Sequence, residues 1–452
     1  MPARPCSRRD VLRTATGAAA LAVARPAAAQ APPPPAAGAS MIGVPFERRD
    51  VVRVGLVGCG SRGPSHLADL LGIEGVEIRA VCDAVPERVA RAQDRVEKTG
   101  RPRPEGYANG ERDFERLCRR GDLDLVYVAT PWRWHVPMAL AAMAGGAHAA
   151  VEVPAAVTLE ECWQLVEASE RTRRHCVMLE NCNYGWSEML VRNLVREGML
   201  GELVHAECAY IHDLRELLFD REHVGPWRRL EHLKRDGNLY PTHGLGPVAW
   251  YLDVHRGDRF ERLVSMSSPS LGLQGYRNRA LAADDPRRQE AYACGDMNTS
   301  LLRTARGRTV LLQHDVVSPR PYSRINTVSG TKGALADYPA RVFFDGQEEH
   351  RWTELRPREG REPGGIEDRF EDPLWKRLAG PAAQGGHGGM DYVMNWRLVQ
   401  CLREGLAPDM DVYDAAAWSA PSALSETSVA GGNVPVEFPD FTRGRWKEPR
   451  RA

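Results

Sequence analysis

Residues 52–63 read VRVGLVGCGSRG, an apolar run that leads into three glycines with the spacing G-x-G-x-x-G. The run predicts a buried strand, and Pro64 to Leu71 behind it have the pattern of a helix. Between a strand and a helix, such glycines permit a tight turn and let the backbone approach a pyrophosphate at the helix N-terminus. The stretch therefore predicts the start of a dinucleotide-binding Rossmann domain.

Asp83 ends the second predicted strand, Val76 to Asp83, and lies twenty residues beyond Gly63. A carboxylate at this spacing accepts hydrogen bonds from the adenosine ribose and would repel the 2′-phosphate of NADP, so the predicted cofactor is NAD. The alternative is an Asp83 that caps the helix predicted over Pro86 to Lys98. The cofactor contacts predicted around this turn are Gly58, Gly60, Ser61, Arg62, Gly63 and Asp83.

Further predicted strands, at Leu123 to Ala129 and His148 to Val153, alternate with helices predicted over Trp134 to Ala144 and Leu159 to Thr172. Such alternation predicts a parallel sheet joined by right-handed crossovers. We assign residues 50–180 to this NAD-binding domain.

Residues Thr130 to His135 follow the third predicted strand, at the carboxyl edge where an open α/β sheet binds its ligand. Trp132 and His135 are expected to wall the nicotinamide half of the cofactor, with Arg133 and Trp134 beside them. For Trp134, packing into the core is an equally good interpretation.

After about Glu180 the pattern changes to a helix over Glu188 to Glu197 and several strands. These strands are predicted at Leu203 to Tyr210, Leu263 to Ser267, Asn298 to Thr304 and Thr309 to Val316. The fold class predicted is α/β, with an N-terminal Rossmann domain and a C-terminal α+β domain, residues 181–445, built on a largely antiparallel sheet. The insertions 268–295 and 345–385 are rich in Arg, Gly and Pro and predict loops over a site or an interface.

The chain begins with a leader-like segment, in which Ser7-Arg8-Arg9-Asp10-Val11-Leu12 precedes an Ala-rich apolar stretch that ends near Ala29. This order predicts a twin-arginine signal peptide over residues 1–30, recognition by the export machinery, and a periplasmic or secreted protein. A merely basic N-terminus is the alternative. The apolar stretch is shorter than the ~20 residues of a spanning helix, so no membrane anchor is expected. Residues 31–45 are rich in Pro, Ala and Gly, and we assign 31–49 to a solvated linker.

Composition narrows the class of ligand. Lys plus Arg and Asp plus Glu number 60 each among 452 residues, which is ordinary globular balance and disfavours a nucleic acid partner. Ten cysteines include Cys6 in the leader, and the nine others cannot all pair within one chain. We predict buried free thiols and no metal site.

Glu152-Val153-Pro154 follows the fourth predicted strand, where members of the Gfo/Idh/MocA oxidoreductase superfamily carry Glu-Lys-Pro. The lysine that usually assists hydride transfer is absent, which disfavours an ordinary sugar dehydrogenase. The chain more closely resembles glycoside hydrolase family 109, the NAD-dependent α-N-acetylgalactosaminidases. Besides Glu152-Val153-Pro154, the motifs that carry the resemblance are Leu179 to Tyr184, Tyr210 to Arg215, Gly237 to Gly244, Arg320 to Tyr322 and His387 to Tyr392.

The resemblance implies a redox route to hydrolysis. Bound NAD takes hydride from sugar carbon C3, and the resulting ketone acidifies the proton on C2. Elimination then expels the glycosidic oxygen, water adds back, and the stored hydride restores the alcohol. NAD-dependent glycosidases of this type are recognised exceptions to the mechanism that uses two carboxylates.

The resemblance also implies roles for particular residues. Tyr240 and His243 resemble the catalytic centre, with Pro241 and Thr242 in contact with substrate between them. Tyr210, Arg228 and Tyr322 resemble sugar contacts; the alternatives are a packed strand residue for Tyr210 and an ion pair with Glu231 for Arg228. Glu152, Val153 and Asn181 are expected to touch the nucleotide.

Two other histidines, His212 and His387, are not predicted to belong to the site. His212 and Asp213 are adjacent on a strand and point to opposite faces, so they are not expected to cooperate. His387 lies in a glycine-rich stretch that favours a flexible turn.

Two other functions fit the same fold. One is a sugar dehydrogenase that exchanges NAD at each turnover. The other is a sugar-binding or protein-binding molecule that keeps the nucleotide as a scaffold. For either enzyme the expected partner is a small-molecule or glycan substrate, and a homo-oligomer is compatible with the sequence.

Overall fold

The computed structural model describes residues 38–221, 224–357 and 360–448. The predicted signal peptide, 1–30, lies outside the described residues, as do residues 31–37 of the predicted linker. The described chain forms a six-stranded sheet followed by a nine-stranded sheet, which confirms the predicted α/β class with a second, α+β domain. Among these residues, none of the helices is both long enough and apolar enough to cross a membrane.

The N-terminal domain is a parallel sheet with helices between its strands. Its strands are β1 Val52–Val57, β2 Val76–Cys82, β3 Glu105–Tyr107, β4 Leu125–Val128, β5 His148–Val151 and β6 Cys176–Met178. Its helices are α1 Gly63–Gly72, α2 Pro86–Glu97, α3 Phe114–Cys118, α4 His135–Ala144 and α5 Leu159–Thr172. The strand order is β3-β2-β1-β4-β5-β6, so the order reverses between β1 and β4. A crevice opens at such a reversal, beyond the carboxyl ends of the strands.

Buried apolar strands and a capped helix explain why most elements of this domain could be predicted from the sequence. The side chains of β4 and β5 are all buried, as expected of parallel strands covered on both faces. Helix α5 begins at a capping box in which Thr158 and Glu161 each bind the other's backbone N–H. The short strands β3 and β6 were not predicted, because three residues carry too little periodicity to be recognised.

The C-terminal domain places helices on one mixed sheet. Its helices are α6 Trp186–Arg196, α7 Arg215–Phe219, α8 Gly225–Lys234, α9 Thr242–Tyr251, α10 Gly272–Ala280, α11 Ile366–Phe370, α12 Pro373–Ala382, α13 Met390–Glu404, α14 Val412–Ser419 and α15 Pro421–Ala430. Its strands are β7 Leu203–Ile211, β8 Phe260–Ser267, β9 Asn298–Thr304, β10 Thr309–Asp315, β11 Thr327–Gly330, β12 Gly333–Ala336, β13 Arg341–Phe344, β14 Thr353–Glu354 and β15 Val436–Glu437. Neighbouring strands are antiparallel except β7 and β10, which confirms the largely antiparallel prediction.

The two insertions predicted as loops contain helices. Residues 268–295 include α10, and residues 345–385 include α11 and α12. Helix α12 shows why composition misled: Pro373 occupies its first turn, and the Asp372 carboxylate accepts a hydrogen bond from the Leu374 N–H. A proline at this position starts a helix rather than ending one.

The linker prediction for residues 31–49 was wrong over its described part, residues 38–49. Met41 and Phe46 are buried in the main core. The Met41 N–H donates to the Tyr413 hydroxyl at 3.1 Å, and the Phe46 N–H donates to the Leu406 carbonyl at 3.0 Å. Two large apolar side chains within a Pro- and Ala-rich stretch suffice to dock this segment on the domain.

Phe46 covers a pair of buried histidines, His148 and His175, whose rings lie 5.3 Å apart. Burial lowers the pKa of His148 to about 3 and that of His175 to about 4. The unfolded chain binds these protons near the ordinary histidine pKa of about 6.5. Between about pH 6.5 and about pH 4 the unfolded state therefore holds more protons, and the free energy of unfolding falls as the pH is lowered.

We expect urea unfolding at about pH 7.5 and about pH 5 to show this loss of stability. A double variant, His148→Gln with His175→Gln, should lose less stability between the two pH values than the parent chain. Equal losses in the two proteins would mean that other groups cause the acid sensitivity.

All nine cysteines of the described chain are buried and free, as the sequence predicts. Burial also raises the pKa of Cys59 and Cys118 to about 12. These thiols therefore act as apolar packing groups rather than as nucleophiles.

Candidate active site

One cavity of about 640 Å³ begins at the carboxyl ends of β1 and β4 and reaches α9 of the second domain. Its position at the reversal of strand order is where open α/β sheets bind nucleotides. Every predicted cofactor contact except Gly63 lines it, namely Gly58, Gly60, Ser61, Arg62, Asp83, Trp132, Arg133, Trp134, His135, Glu152, Val153 and Asn181. Of the predicted substrate residues, Tyr210, Arg228, Tyr240 and His243 line the same cavity.

The three glycines of the turn differ in what prevents a side chain there. Gly58 has a φ of +94°, and a Cβ on it would lie 2.4 Å from the Ala129 carbonyl oxygen. A Cβ on Gly63 would lie 1.9 Å from the Gly58 carbonyl oxygen, so this glycine permits α1 to start against the turn. Gly60 faces the cavity, and its nearest neighbour would be a guanidinium nitrogen of Arg88 at 3.4 Å. These are the demands of a dinucleotide turn: tight bending, close packing of the helix, and an open approach for the pyrophosphate.

Asp83 is held at the edge of the cavity by backbone donors. Its Oδ2 accepts a hydrogen bond from the Cys59 N–H at 2.8 Å, and its Oδ1 accepts one from the Val85 N–H at 3.0 Å. Val85, not Asp83, is the N-cap residue of α2, so the capping alternative does not hold. The second lone pair of each carboxylate oxygen remains for ribose hydroxyls.

The segment after β4 forms an aromatic wall. The Trp132 ring lies 5.0 Å from that of Trp227 and 5.7 Å from that of Tyr240. Trp134 lines the cavity and also packs on Phe114, with ring centroids 5.9 Å apart.

His135 and Arg133 make contacts that fix the same segment. The ring nitrogens of His135 lie 2.8 Å from the carbonyl oxygens of Thr130 and Pro154. His135 therefore ties the turn after β4 to the turn after β5. Arg133 extends outward and pairs with Glu111 at 3.0 Å.

A buried ionic network joins the two domains beneath the glycine turn. Arg62 donates from Nε to Glu152 at 2.8 Å and from Nη1 to Asp391 at 2.9 Å. His66 also contacts Glu152 at 2.8 Å, and the Asn181 amide donates to Asp391 at 2.6 Å. Although burial opposes ionisation, Arg62 and His66 hold the pKa of the Glu152 carboxyl well below its usual range. The Arg62 guanidinium is thus occupied by two carboxylates, which leaves the backbone of the turn to meet the nucleotide.

His243 forms a hydrogen-bonded pair with a carboxylate that was not among the predicted site residues. Its Nδ1 lies 2.7 Å from Oε1 of Glu180, which is fully buried. Because a carboxylate only accepts, Nδ1 donates and Nε2 carries the free lone pair. The same Glu180 oxygen accepts from the Cys182 N–H at 3.1 Å. This is the arrangement of an oriented general base.

Close backbone packing puts His243 beside Glu180. His243 lies in the first turn of α9, which rests directly on β7. A Cβ on Gly244 would lie 2.6 Å from the Ala209 nitrogen, and a Cβ on Gly246 would lie 2.4 Å from the Asn183 side chain. The two glycines let the helix approach closely enough for the pair to form.

Tyr210, Tyr240 and His243 form one aromatic cluster. Ring centroids lie 4.6 Å apart for Tyr210 and Tyr240, and 4.9 Å apart for Tyr240 and His243. The Arg228 guanidinium lies over Tyr240 at 4.7 Å and over Trp132 at 5.2 Å. Burial raises the pKa of Tyr240 well above its usual value and also raises that of Tyr210, although Arg228 opposes both shifts. Both phenols therefore carry their protons at neutral pH.

Arg228 does not form the ion pair with Glu231 that was the alternative to a sugar contact. Glu231 is instead 3.4 Å from Arg235. Arg228 keeps its guanidinium over Trp132 and Tyr240, and the residue lines the cavity.

His212 and His387, both set aside in the sequence analysis, line the cavity. The His212 Nδ1 lies 3.0 Å from the Tyr210 hydroxyl, because residues two apart on a strand share a face. Asp213 points away and pairs with Arg215 at 2.7 Å, as expected from the alternation. His387 is held by Asp391 at 2.8 Å rather than lying in an unattached turn. The spacing of two residues between Tyr210 and His212 was the signal in the sequence that could have placed His212 in the site.

Three predicted substrate residues do not line the cavity. Pro241 and Thr242 are buried at the start of α9, because the helix begins at Thr242 and turns both side chains away. Tyr322 lies just outside, with its ring 5.0 Å from that of His212 and 6.1 Å from that of Tyr210. Gly63, predicted as a cofactor contact, serves the turn by packing.

The sequence predicts no metal site, yet three groups of the described chain have atoms close enough to hold an ion. Atoms of Glu180, Cys182 and His243 lie within 4.8 Å of one another. Burial raises the pKa of the Cys182 thiol well above its usual value, and the thiol contacts Asn181 at 3.6 Å. With Glu180 already accepting from His243, hydrogen bonding accounts for this cluster.

Comparisons with protein families divide the chain at the domain boundary. A family model described as the glycosyl hydrolase 109 C-terminal domain matches residues 184–448. A model described as the oxidoreductase family, NAD-binding Rossmann fold, matches residues 52–180.

Curated relatives match nearly the whole chain. A glycosyl hydrolase family 109 protein of Solibacter usitatus (strain Ellin6076) is 51% identical over 444 residues, covering 98% of this chain and 98% of that protein. One of Saccharopolyspora erythraea is 50% identical over 453 residues, covering 98% of this chain and 96% of that protein.

Solved structures share the fold at low identity. A levoglucosan dehydrogenase in complex with NADH and levoglucosan has a TM-score of 0.65 and 19% identity, covering 86% of this chain and 100% of that one. An NAD-binding oxidoreductase from Klebsiella pneumoniae has a TM-score of 0.67 and 17% identity, covering 87% and 100%. Both domains therefore keep the arrangement of NAD-binding oxidoreductases.

Proposed function

The chain belongs to glycoside hydrolase family 109 and binds NAD through its Rossmann domain, and from these facts we propose that it hydrolyses terminal α-linked N-acetylgalactosamine. The observation that carries the proposal is that the His243–Glu180 pair and the nucleotide turn line one cavity. A sugar held there has an oriented base and the cofactor on neighbouring sides.

Bound NAD supplies the reversible oxidation of the sugar at C3. In the proposed reaction Nε2 of His243 takes the proton of the C3 hydroxyl; the support is that Nδ1 is engaged by Glu180. His212 provides a second imidazole in the same cavity for the proton at C2. The hydride and the proton both return to the sugar in the reverse step, so no net oxidation of the sugar results.

The tyrosines and Arg228 hold the substrate and assist departure of the leaving group. Tyr240 keeps its proton because burial raises its pKa, and its phenol can donate to the glycosidic oxygen. Arg228, held over Tyr240 and Trp132, offers N–H donors to the oxygens of the sugar. Trp132, Tyr210 and Tyr240 line the cavity and present aromatic rings to the apolar faces of the sugar.

We expect an aryl α-N-acetylgalactosaminide to be cleaved without added NAD and without accumulation of NADH. In D₂O the released sugar should carry deuterium at C2, because the C2 proton leaves during elimination and a solvent proton replaces it. Mass spectrometry of the product measures this. Cleavage with no deuterium at C2 would contradict the redox route and favour direct displacement.

A sugar dehydrogenase is the second candidate, because levoglucosan dehydrogenase, a protein of the same fold, binds NADH and a sugar. That activity would form NADH in proportion to free sugar consumed and would leave glycosides intact. Val153 lines the cavity where the related dehydrogenases carry lysine, and this favours the hydrolase.

For location, we propose export by the twin-arginine route, which delivers proteins already folded around a cofactor. The support is the Arg8-Arg9 pair and the apolar run that follows it. Replacing both arginines with lysine should leave the enzyme in the cytoplasmic fraction of its host. Unchanged export would contradict the proposal.

A further inference from the structure

A second cavity, of about 850 Å³, opens beside the first. His387 lines both cavities. The helices of the insertion 345–385 form one side of it, through Trp375, Lys376 and Ala379 of α12 and the following Ala383. The insertion therefore lines a cavity, and does so with helices rather than with the predicted loops.

Two tyrosines bridge the cavities. Tyr322 has its ring 5.0 Å from His212 of the first cavity and 6.0 Å from Tyr338 of the second. Tyr322 is 37% exposed and Tyr338 is 36% exposed, and both belong to the small set of large apolar or aromatic side chains that the described chain leaves accessible. The Tyr338 ring thus continues an aromatic surface from the reaction site outward.

The charged side chains that line the second cavity balance in sign: the carboxylates are Glu188, Asp337 and Glu371, and the cations are Arg324, Arg361 and Lys376. Glu188 pairs with Arg324, and Asp337 accepts from the Ser187 hydroxyl at 2.8 Å. Glu371 accepts from the Trp186 indole at 2.7 Å and from Arg361 at 2.6 Å. Groups fixed in this way still offer lone pairs and N–H groups, and the balance of three carboxylates with three cations leaves no excess charge to attract an ion. Polar groups fixed beside accessible aromatic rings suit a neutral ligand rich in hydroxyl groups.

We propose that the second cavity binds the neutral sugars to which the terminal N-acetylgalactosamine is attached. The inference rests on the proposed function, because a terminal sugar between His243 and the nucleotide turn must direct its anomeric substituent out of the first cavity. Past Tyr322, that substituent reaches the surface of Tyr338 and α12.

The test fills the second cavity and leaves the first intact. Ala383 is exposed and lines the second cavity, whereas the adjacent Gln384 is exposed and does not line it. Ala383→Trp is compared with its matched control, Gln384→Trp, and Tyr338→Ala removes the aromatic contact. Substrates are an aryl α-N-acetylgalactosaminide and a neutral trisaccharide with the same terminal sugar.

We expect Ala383→Trp and Tyr338→Ala to raise KM for the trisaccharide about tenfold, since binding energy from the remote sugars is lost. KM for the aryl glycoside should change less than about twofold, and Gln384→Trp should behave like the parent. Equal effects on both substrates, or no effect on either, would overturn the inference.

A binding measurement separates this inference from the proposed function. In a calorimetric titration, N-acetyllactosamine alone should bind the NAD-loaded parent and the Gln384→Trp protein, and binding should be lost in Ala383→Trp. No binding to the parent overturns the second-cavity assignment even if the aryl glycoside is cleaved. Binding together with an uncleaved aryl glycoside supports the assignment and counts against the proposed hydrolase alone.

Discussion

Replacing His243 with alanine is expected to lower kcat/KM for the aryl glycoside about 10³-fold, within the range that a positioned acid or base contributes. His243 is the imidazole whose Nδ1 is fixed by Glu180, so its loss removes the proton acceptor of the cluster. Bound NAD should remain, because the glycine turn is formed by other residues. Rates on the aryl substrate, with NAD content measured after denaturation, check both statements.

A Glu180 variant, assayed in the same way, separates the orientation of the His243 ring from proton transfer by that ring. Glu180 contacts His243 and the Cys182 N–H, so it is a positioning residue. Glu180→Gln should lower kcat about 10²-fold with KM within about twofold, since sugar contacts are kept.

A matched control is His205→Ala, on the same strand as Tyr210 but bonded to Thr309 at 2.7 Å. It should leave the rate unchanged. Activity of His243→Ala within about threefold of the parent would place the base elsewhere in the cavity, with His212 the next group to replace.

The nucleotide site could be predicted from sequence because its requirements are local. A strand, three glycines and a helix lie within about twenty consecutive residues, and each glycine answers a steric demand of its neighbours. Asp83 follows from a fixed spacing along the same crossover unit. The geometry of the nucleotide turn therefore dictates both the residue types and their order along the chain.

The sugar half of the site could be predicted only through resemblance. Glu180 and His243 are 63 positions apart, and no periodicity of either segment indicates that they meet. Their contact depends on α9 approaching β7 at Gly244, which is a property of the packed domain. For the same reason the sequence did not show which of the adjacent residues Thr242 and His243 faces the cavity. His243 lines it, and Thr242 does not.

The N-terminal segment shows a different limit. Proline and alanine dominate residues 31–45, and composition alone predicts a solvated chain. Met41 and Phe46 decide the outcome, because each buries a large side chain on a surface formed by residues far along the sequence. A few apolar contacts outweigh a compositional average when a complementary surface exists.

Gly60→Ala is expected to reduce the NAD retained through purification at least about tenfold while the stripped protein unfolds at the parent's temperature. At this position a Cβ meets only the end of Arg88, 3.4 Å away, so the turn itself tolerates the methyl group. The methyl group instead projects into the cavity where the pyrophosphate must touch backbone. Gly121→Ala, whose Cβ would have nothing within 4 Å, is the matched control and should retain NAD.

Gly63→Ala gives the opposite expectation and makes the result interpretable. Its Cβ would lie 1.9 Å from the Gly58 carbonyl oxygen, so the start of α1 must move and the stripped protein itself should melt at lower temperature. Loss of NAD without loss of stability in Gly60→Ala, against loss of both in Gly63→Ala, assigns one glycine to the cofactor and the other to the fold. If Gly60→Ala keeps its full complement of NAD, the pyrophosphate does not lie against this turn, and the sugar site has no oxidant beside it.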